Sequence, residues 1–110
     1  MELLEQVQVR LSGEPAAAET AQLKVLCDLA SVRICLRIRE PTLPELFVPI
    51  AADVVVKLVR RWNYEGIASE GADTLSTSFV EDVLAEYDDE FAAYRETKAA
   101  ENGGKKVRFL

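Results

Sequence analysis

Histidine is absent from this 110-residue chain, and cysteine occurs only twice. Without imidazole the chain lacks the commonest general base, the usual partner of a nucleophilic serine and the main nitrogen ligand for metals. Cys27 and Cys35 stand eight residues apart on one expected helix. At the rise of an α-helix that separates them by about 12 Å, too far for a bridge within the chain. Both read as reduced packing residues, in keeping with a cytoplasmic origin. No further thiol exists to complete a zinc site. Neither a phosphate-cradling glycine loop nor a nucleophile motif is present. No apolar run approaches the roughly 20 residues of a membrane span. The opening Met-Glu-Leu-Leu-Glu is acidic where a secretory leader would be basic. The chain is therefore expected to work without crossing a membrane by the secretory route, with no enzymatic activity, no cofactor and no metal.

What is present is a hydrophobic fraction of 49%, enough for one packed domain, and a charged fraction of 29% to keep it soluble. The net charge of −6 opposes general nucleic-acid binding, which needs a basic surface to neutralise phosphate. The carboxylates Asp88, Asp89 and Glu90 form a cluster, but without the alternation and glycine of a calcium loop, so they read as a solvated helix face.

The apolar spacing predicts helices. Leu4, Val7 and Leu11 share one face of a short helix from Glu2 to Leu11, which Gly13 ends in a left-handed conformation. From about Ala16 to Ile38 runs the longest expected helix, and it carries two apolar stripes. One is Val25, Leu29, Val32 and Leu36; the other is Leu23, Leu26, Cys27, Ala30, Ile34 and Ile38. A surface helix normally has a single apolar face. Two faces imply either a central helix packed on both sides or one shared between the core and a neighbouring subunit. Arg33 and Arg37 between the stripes are either ion-pair partners or stems that snorkel to solvent. Pro41 and Pro44 break the chain. Pro44 starts a short turn, and Pro49 kinks or restarts it. Ile50 to Tyr64 is a helix with a wide apolar arc of Ala51, Val54, Val55, Leu58, Val59 and Trp62, and with Asp53 and Lys57 as an i,i+4 pair.

Residues 65–79 depart from this pattern. The stretch is polar and glycine-bearing, and far longer than a usual helix connection. Leu75, Thr77 and Phe79 alternate with Ser76 and Ser78 at a period of two, the signature of a strand. This predicts a projecting arm, either a β-hairpin or a long loop, suited to a neighbouring molecule. Ser78-Phe79-Val80-Glu81 then reads as a capping box that opens a last helix running to about Lys98. Its outer side is acidic at Glu81, Asp82, Glu86, Asp88, Asp89 and Glu90. Asn102-Gly103-Gly104 is expected to end order. Beyond it Lys105, Lys106, Val107, Arg108, Phe109 and Leu110 form a basic, apolar tail, either a docking peptide or a frayed end. The expected architecture is all-α: a small bundle of about four helices over residues 1–98, with the arm at 65–79 between the last two helices and a flexible, extended tail at 99–110.

The order of these elements, the arm Asn-Tyr-Glu-Gly-Ile-Ala-Ser-Glu with Leu-Ser-Thr-Ser-Phe, and the helix ending near Tyr94-Arg95 together resemble the head–tail connector family of tailed bacteriophages. The resemblance covers roughly residues 2–95 and is most specific over Glu65 to Phe79. Where the family arm carries Gly-Gly, this chain has Asp73-Thr74. The resemblance implies a structural adaptor or head-completion protein at the virion head–tail junction. It forms a ring, commonly twelve-fold, beneath the portal protein, extends the DNA channel and receives a stopper or tail-completion protein. Its contact with packaged DNA is passive, and it has no membrane partner. On that basis Glu65, Gly66, Ile67, Ser69, Leu75, Ser76, Ser78 and Phe79 of the arm, and Val25, Leu29, Val32 and Leu36 of the long helix, are expected at subunit interfaces. The tail Lys105 to Leu110 is expected to dock on the portal, and Asp88, Asp89 and Glu90 to border the channel. The alternative is a small helical regulatory or nucleic-acid-binding module using Arg33, Arg37, Arg39, Arg60 and Arg61.

Overall fold

Helix boundaries in the first half of the chain follow local chemistry. The computed structural model describes residues 2–13, 20–64 and 77–107, with side chains at 2–13, 20–61 and 78–101. All its regular elements are helical: α1 (Leu3–Arg10), α2 (Thr20–Ile38), a 3-10 turn (Glu45–Phe47), α3 (Val48–Tyr64), α4 (Thr77–Ala85) and α5 (Asp88–Val107). At the start of α1 the Glu5 carboxylate accepts the Glu2 N–H at 3.3 Å, satisfying a donor that has no partner within the helix. Gly13 beyond it takes φ +88, the left-handed conformation expected of it. Helix α2 ends where Arg39 adopts φ +61 and the Glu40 N–H reaches back to the Cys35 carbonyl at 3.1 Å. Left-handed backbone at a non-glycine residue costs roughly 1 kcal/mol, and Pro41 follows directly. Pro44 is extended (ψ 148) and its carbonyl accepts the Phe47 N–H at 2.9 Å. Pro49 sits in the first turn of α3, where its missing N–H is tolerated.

The core is built around α3. Ala51, Ala52, Val54, Val55, Val56, Leu58 and Val59 are all buried, so its apolar surface extends around most of the helix. Helices α1 and α2 make the broadest contacts with it, and α4 and the 3-10 turn also pack on it. Helix α2 buries only Leu23, Leu26, Cys27, Ala30, Ile34 and Ile38. Of the two arrangements open for α2, packing on both sides within one chain is therefore not the one found; the helix enclosed on several sides is α3. Burial, then the charge of Asp28, pushes the Cys27 thiol up to about 11, which makes it a packing group, and both cysteines are free. No polar or charged residue is buried among the described side chains.

Three expectations are corrected. The last helix is two: α4 stops at Ala85 and α5 starts at Asp88. Between them the Glu86 and Tyr87 N–H groups bond to Val83 and Leu84 carbonyls at 3.2 and 3.0 Å, the tighter i→i+3 pattern. No glycine or proline causes this break; it lets Val80, Val83 and Leu84 of α4 and Phe91 of α5 enter one core. Thr77, Ser78 and Phe79 lie inside α4 and do not continue a strand, so the strand-like alternation does not extend into the described residues. Finally, α5 continues through Asn102-Gly103-Gly104 to Val107, so residues 99–107 are helical and not an extended tail. Glycine inside a helix costs only about 1 kcal/mol relative to alanine, which an already nucleated helix tolerates. The rest of the expected arm, residues 65–76, and Arg108, Phe109 and Leu110 lie outside the described residues, as does the expected start of the long helix at Ala16.

Phe91 is fully buried, with its ring 5.9 Å from Phe47 and 6.4 Å from Tyr87. It is the main anchor of α5. Phe91→Ala is expected to remove about 3–5 kcal/mol of stability, measured as a fall in the urea midpoint.

Candidate assembly surfaces

The outer stripe of α2 emerges from the core as an apolar row facing solvent. Val25 is 57% exposed, Val32 58% and Leu36 71%, while Leu29 packs partly against the core. These four residues recur at intervals of four, three and four, the spacing of a helix–helix seam. The structure therefore brings together the four α2 residues singled out by the sequence and, among the described residues, leaves Val25, Val32 and Leu36 exposed, with Leu29 half-buried between them.

Arg33 and Arg37, which separate the two stripes, are ion-pair partners. Arg33 reaches Glu81 at 3.3 Å; Arg37 bonds Glu81 and also Asp88 at 3.2 Å. Arg95 in turn donates to the Arg37 carbonyl at 2.8 Å. These contacts fasten α2 to both sides of the α4–α5 break. They also remove two of the five arginines from a phosphate-binding patch.

A second polar cluster lies at the break itself. The Tyr87 hydroxyl donates to Asp53, and Lys57 donates to Tyr87 at 2.9 Å and to Glu86 at 2.6 Å. Arg10 approaches Asp53 at 3.4 Å, so α1, α3 and the α4–α5 turn meet at one carboxylate. Burial alone would raise the Asp53 pKa. The Tyr87 hydrogen bond and the charges of Lys57 and Arg10 outweigh it and hold the carboxyl below its usual range. The bonds from Lys57 to Glu86 and then to Tyr87 raise the lysine. The i,i+4 pair Asp53–Lys57 is found at 3.5 Å. The hydroxyl partner of Tyr87 is a product of the fold, since Asp53 stands 34 residues away.

Asp88, Asp89 and Glu90 are exposed and fill the first turn of α5, where carboxylates face the positive end of the helix dipole. Ser78 is exposed and Phe79 half-buried in α4, with the Arg61 guanidinium 4.3 Å from the Phe79 ring centroid. Glu65, Gly66, Ile67, Ser69, Leu75 and Ser76 lie outside the described residues. Lys105, Lys106 and Val107 are described only as backbone of α5.

An open apolar groove of about 480 Å3, not foreseen from residue spacing, lies between the start of α3 and the middle of α5. Leu46, Phe47 and Ile50 form one wall, and Tyr94 packs edge-on against Phe47 at 5.1 Å. Leu46, 73% exposed, stands at its mouth. The Tyr94 hydroxyl donates to Glu40; that bond, followed by burial, pushes its pKa up to about 12. Among the described residues no three acidic, cysteine or histidine side chains converge as metal ligands, and no helix is long and apolar enough to cross a membrane.

Comparison with known protein families, with curated proteins and with solved structures gives no match.

Because Asp53 ionises more readily in the folded chain than in the unfolded one, it stabilises the fold at neutral pH. That gain is complete above the unfolded carboxyl value of 3.8 and disappears as pH falls through the lower folded value. Asp53→Asn is expected to destabilise by about 1 kcal/mol or less at pH 7, a modest loss because the group is partly exposed. Denaturation of both proteins across the acid range should show the difference shrinking below pH 3.8.

Proposed function

We propose that this chain is a self-assembling structural subunit, a phage head–tail connector that forms a ring beneath the portal. In that role it extends the DNA channel and joins the capsid to stopper or tail proteins. The observation that supports self-assembly is the row on α2 in which Val25, Val32 and Leu36 are exposed and Leu29 is half-buried between them. Large apolar side chains in a contiguous row on a soluble chain mark an interaction surface. Burying each stabilises an interface by about 1.5–3 kcal/mol. The seam spacing suits a helix-sized partner, and a closed ring supplies one on the neighbouring copy through a heterologous contact. The connector identity rests on the arm motif between Glu65 and Phe79 and on the order of the helices around it. In the ring the arm residues reach an adjacent subunit, and Asp88, Asp89 and Glu90 border the channel. Negative walls there let packaged DNA pass without adhering.

The test is the double variant Val32→Glu, Leu36→Glu. Both side chains are exposed, so its thermal melt should match that of the parent chain. Its assembly, followed by sedimentation and by electron microscopy of capsid necks, is expected to fall at least tenfold. A variant that assembles like the parent, or capsid necks without this chain as a collar beneath the portal, would overturn the proposal.

A further inference from the structure

The groove between the 3-10 turn and α5 has an apolar base of Leu46, Phe47, Ile50 and Tyr94. Its rim is charged. Lys98 is answered by Glu40 at 3.8 Å, whereas Glu90 and Glu101 have no ion-pair partner among the described residues. The surface is thus greasy at its base and net acidic at its edge. Its volume is in the range of a binding site, but it lacks the converging polar groups that would orient a small polar ligand.

One segment of this chain carries the matching chemistry. Lys105, Lys106 and Arg108 are basic, and Val107, Phe109 and Leu110 are apolar. We propose that the groove of one copy receives the segment around Phe109 of a second copy. The apolar side chains enter the groove while the three cations face Glu90 and Glu101. From the end of α5, Phe109 does not span the distance back to the apolar base of its own groove. The groove residues Ala93 to Thr97 lie 10 to 14 residues before the end of α5 at Val107, so about 15–21 Å of rigid helix intervenes. Phe109 is only two residues past Val107 and reaches back about 7 Å at most. The contact is therefore placed in trans. It joins two different surfaces and is therefore heterologous, the kind that propagates into a ring or filament. The portal is the other candidate for the tail, but the complementary charge and apolar shape are both present on this chain. The proposal deepens the self-assembly reading and rests on it for its place in a ring. The binding event itself needs no residue of α2.

The experiment titrates a labelled synthetic peptide of residues 102–110 into the full-length protein, followed by fluorescence anisotropy and by amide shifts. Binding is expected to saturate, to shift the amides of Ala93 and Thr97, and to weaken in about 1 M salt, where screening acts within about 3 Å. Phe109→Ala in the peptide should weaken it at least tenfold. So should Ala93→Lys in the protein, an exposed helix position where lysine places a cation and a long stem in the groove. Thr97→Lys, one turn along on the same exposed face, should do the same if the first variant folds poorly. The α2 variant Val32→Glu, Leu36→Glu should bind the peptide normally, which separates failure of the α2 seam from failure of the groove. No saturable binding, binding indifferent to Ala93→Lys and Thr97→Lys, or amide shifts confined to α2 would overturn the proposal.

Discussion

The apolar surface of α3 extends around most of the helix, and a helix of that kind must be covered from several directions before it is stable in water. Helices α1 and α2, α4 and the 3-10 turn each take a share of that surface. Exposing it would forfeit the largest favourable term in the fold. The demand explains why α2 lies with only one stripe inward. Its inner residues Leu26, Ala30, Ile34 and Ile38 are claimed by the core, and its outer row is left over. It also explains the bend after Ala85. Local propensity favours continuing the helix through Glu86 and Tyr87. The bend lets Leu84 and Phe91, on successive helices, enter the same apolar cluster.

Charge works at the boundary of this core and not within it. Glu81 and Asp88, on either side of the bend, share Arg37, while Tyr87 and Glu86 inside the bend engage Asp53 and Lys57. Each such pair at partial exposure contributes little alone. Together they hold both sides of the bend against α2 and α3. With no charged residue buried among the described side chains, the network avoids the desolvation penalty of an interior ion pair.

Among the described residues, two apolar surfaces are left open by the fold, the row on α2 and the groove beside α5. They face different partners in the proposed assembly, one a helix-sized surface and the other a short basic segment. The charge of the chain is divided in the same sense: carboxylates gather at the start of α5 and on the groove rim, while Lys105, Lys106 and Arg108 concentrate positive charge beyond its middle. Such a division gives a head-to-tail contact a direction as well as an attraction.

Periodicity alone identified the all-helical class, both stripes of α2 and the arc of α3. Each of these depends on which face of a helix a residue occupies, and spacing along the chain determines that. The Asp53–Lys57 pair and the α2 row were legible for the same reason. The split of the last helix, the helical residues 99–107 and the start of α4 at Thr77 were not, since local signals there were overridden by packing or were too weak to oppose helix propagation. Nor could the groove or the Tyr87–Asp53 contact be read in advance. Leu46 and Tyr94 lie 48 positions apart, and Asp53 and Tyr87 lie 34 apart. The sequence determined which residues would be apolar on which helical face; only the tertiary structure decided which of those faces would find partners within one chain, because that depends on how rigid helices of given length cross one another.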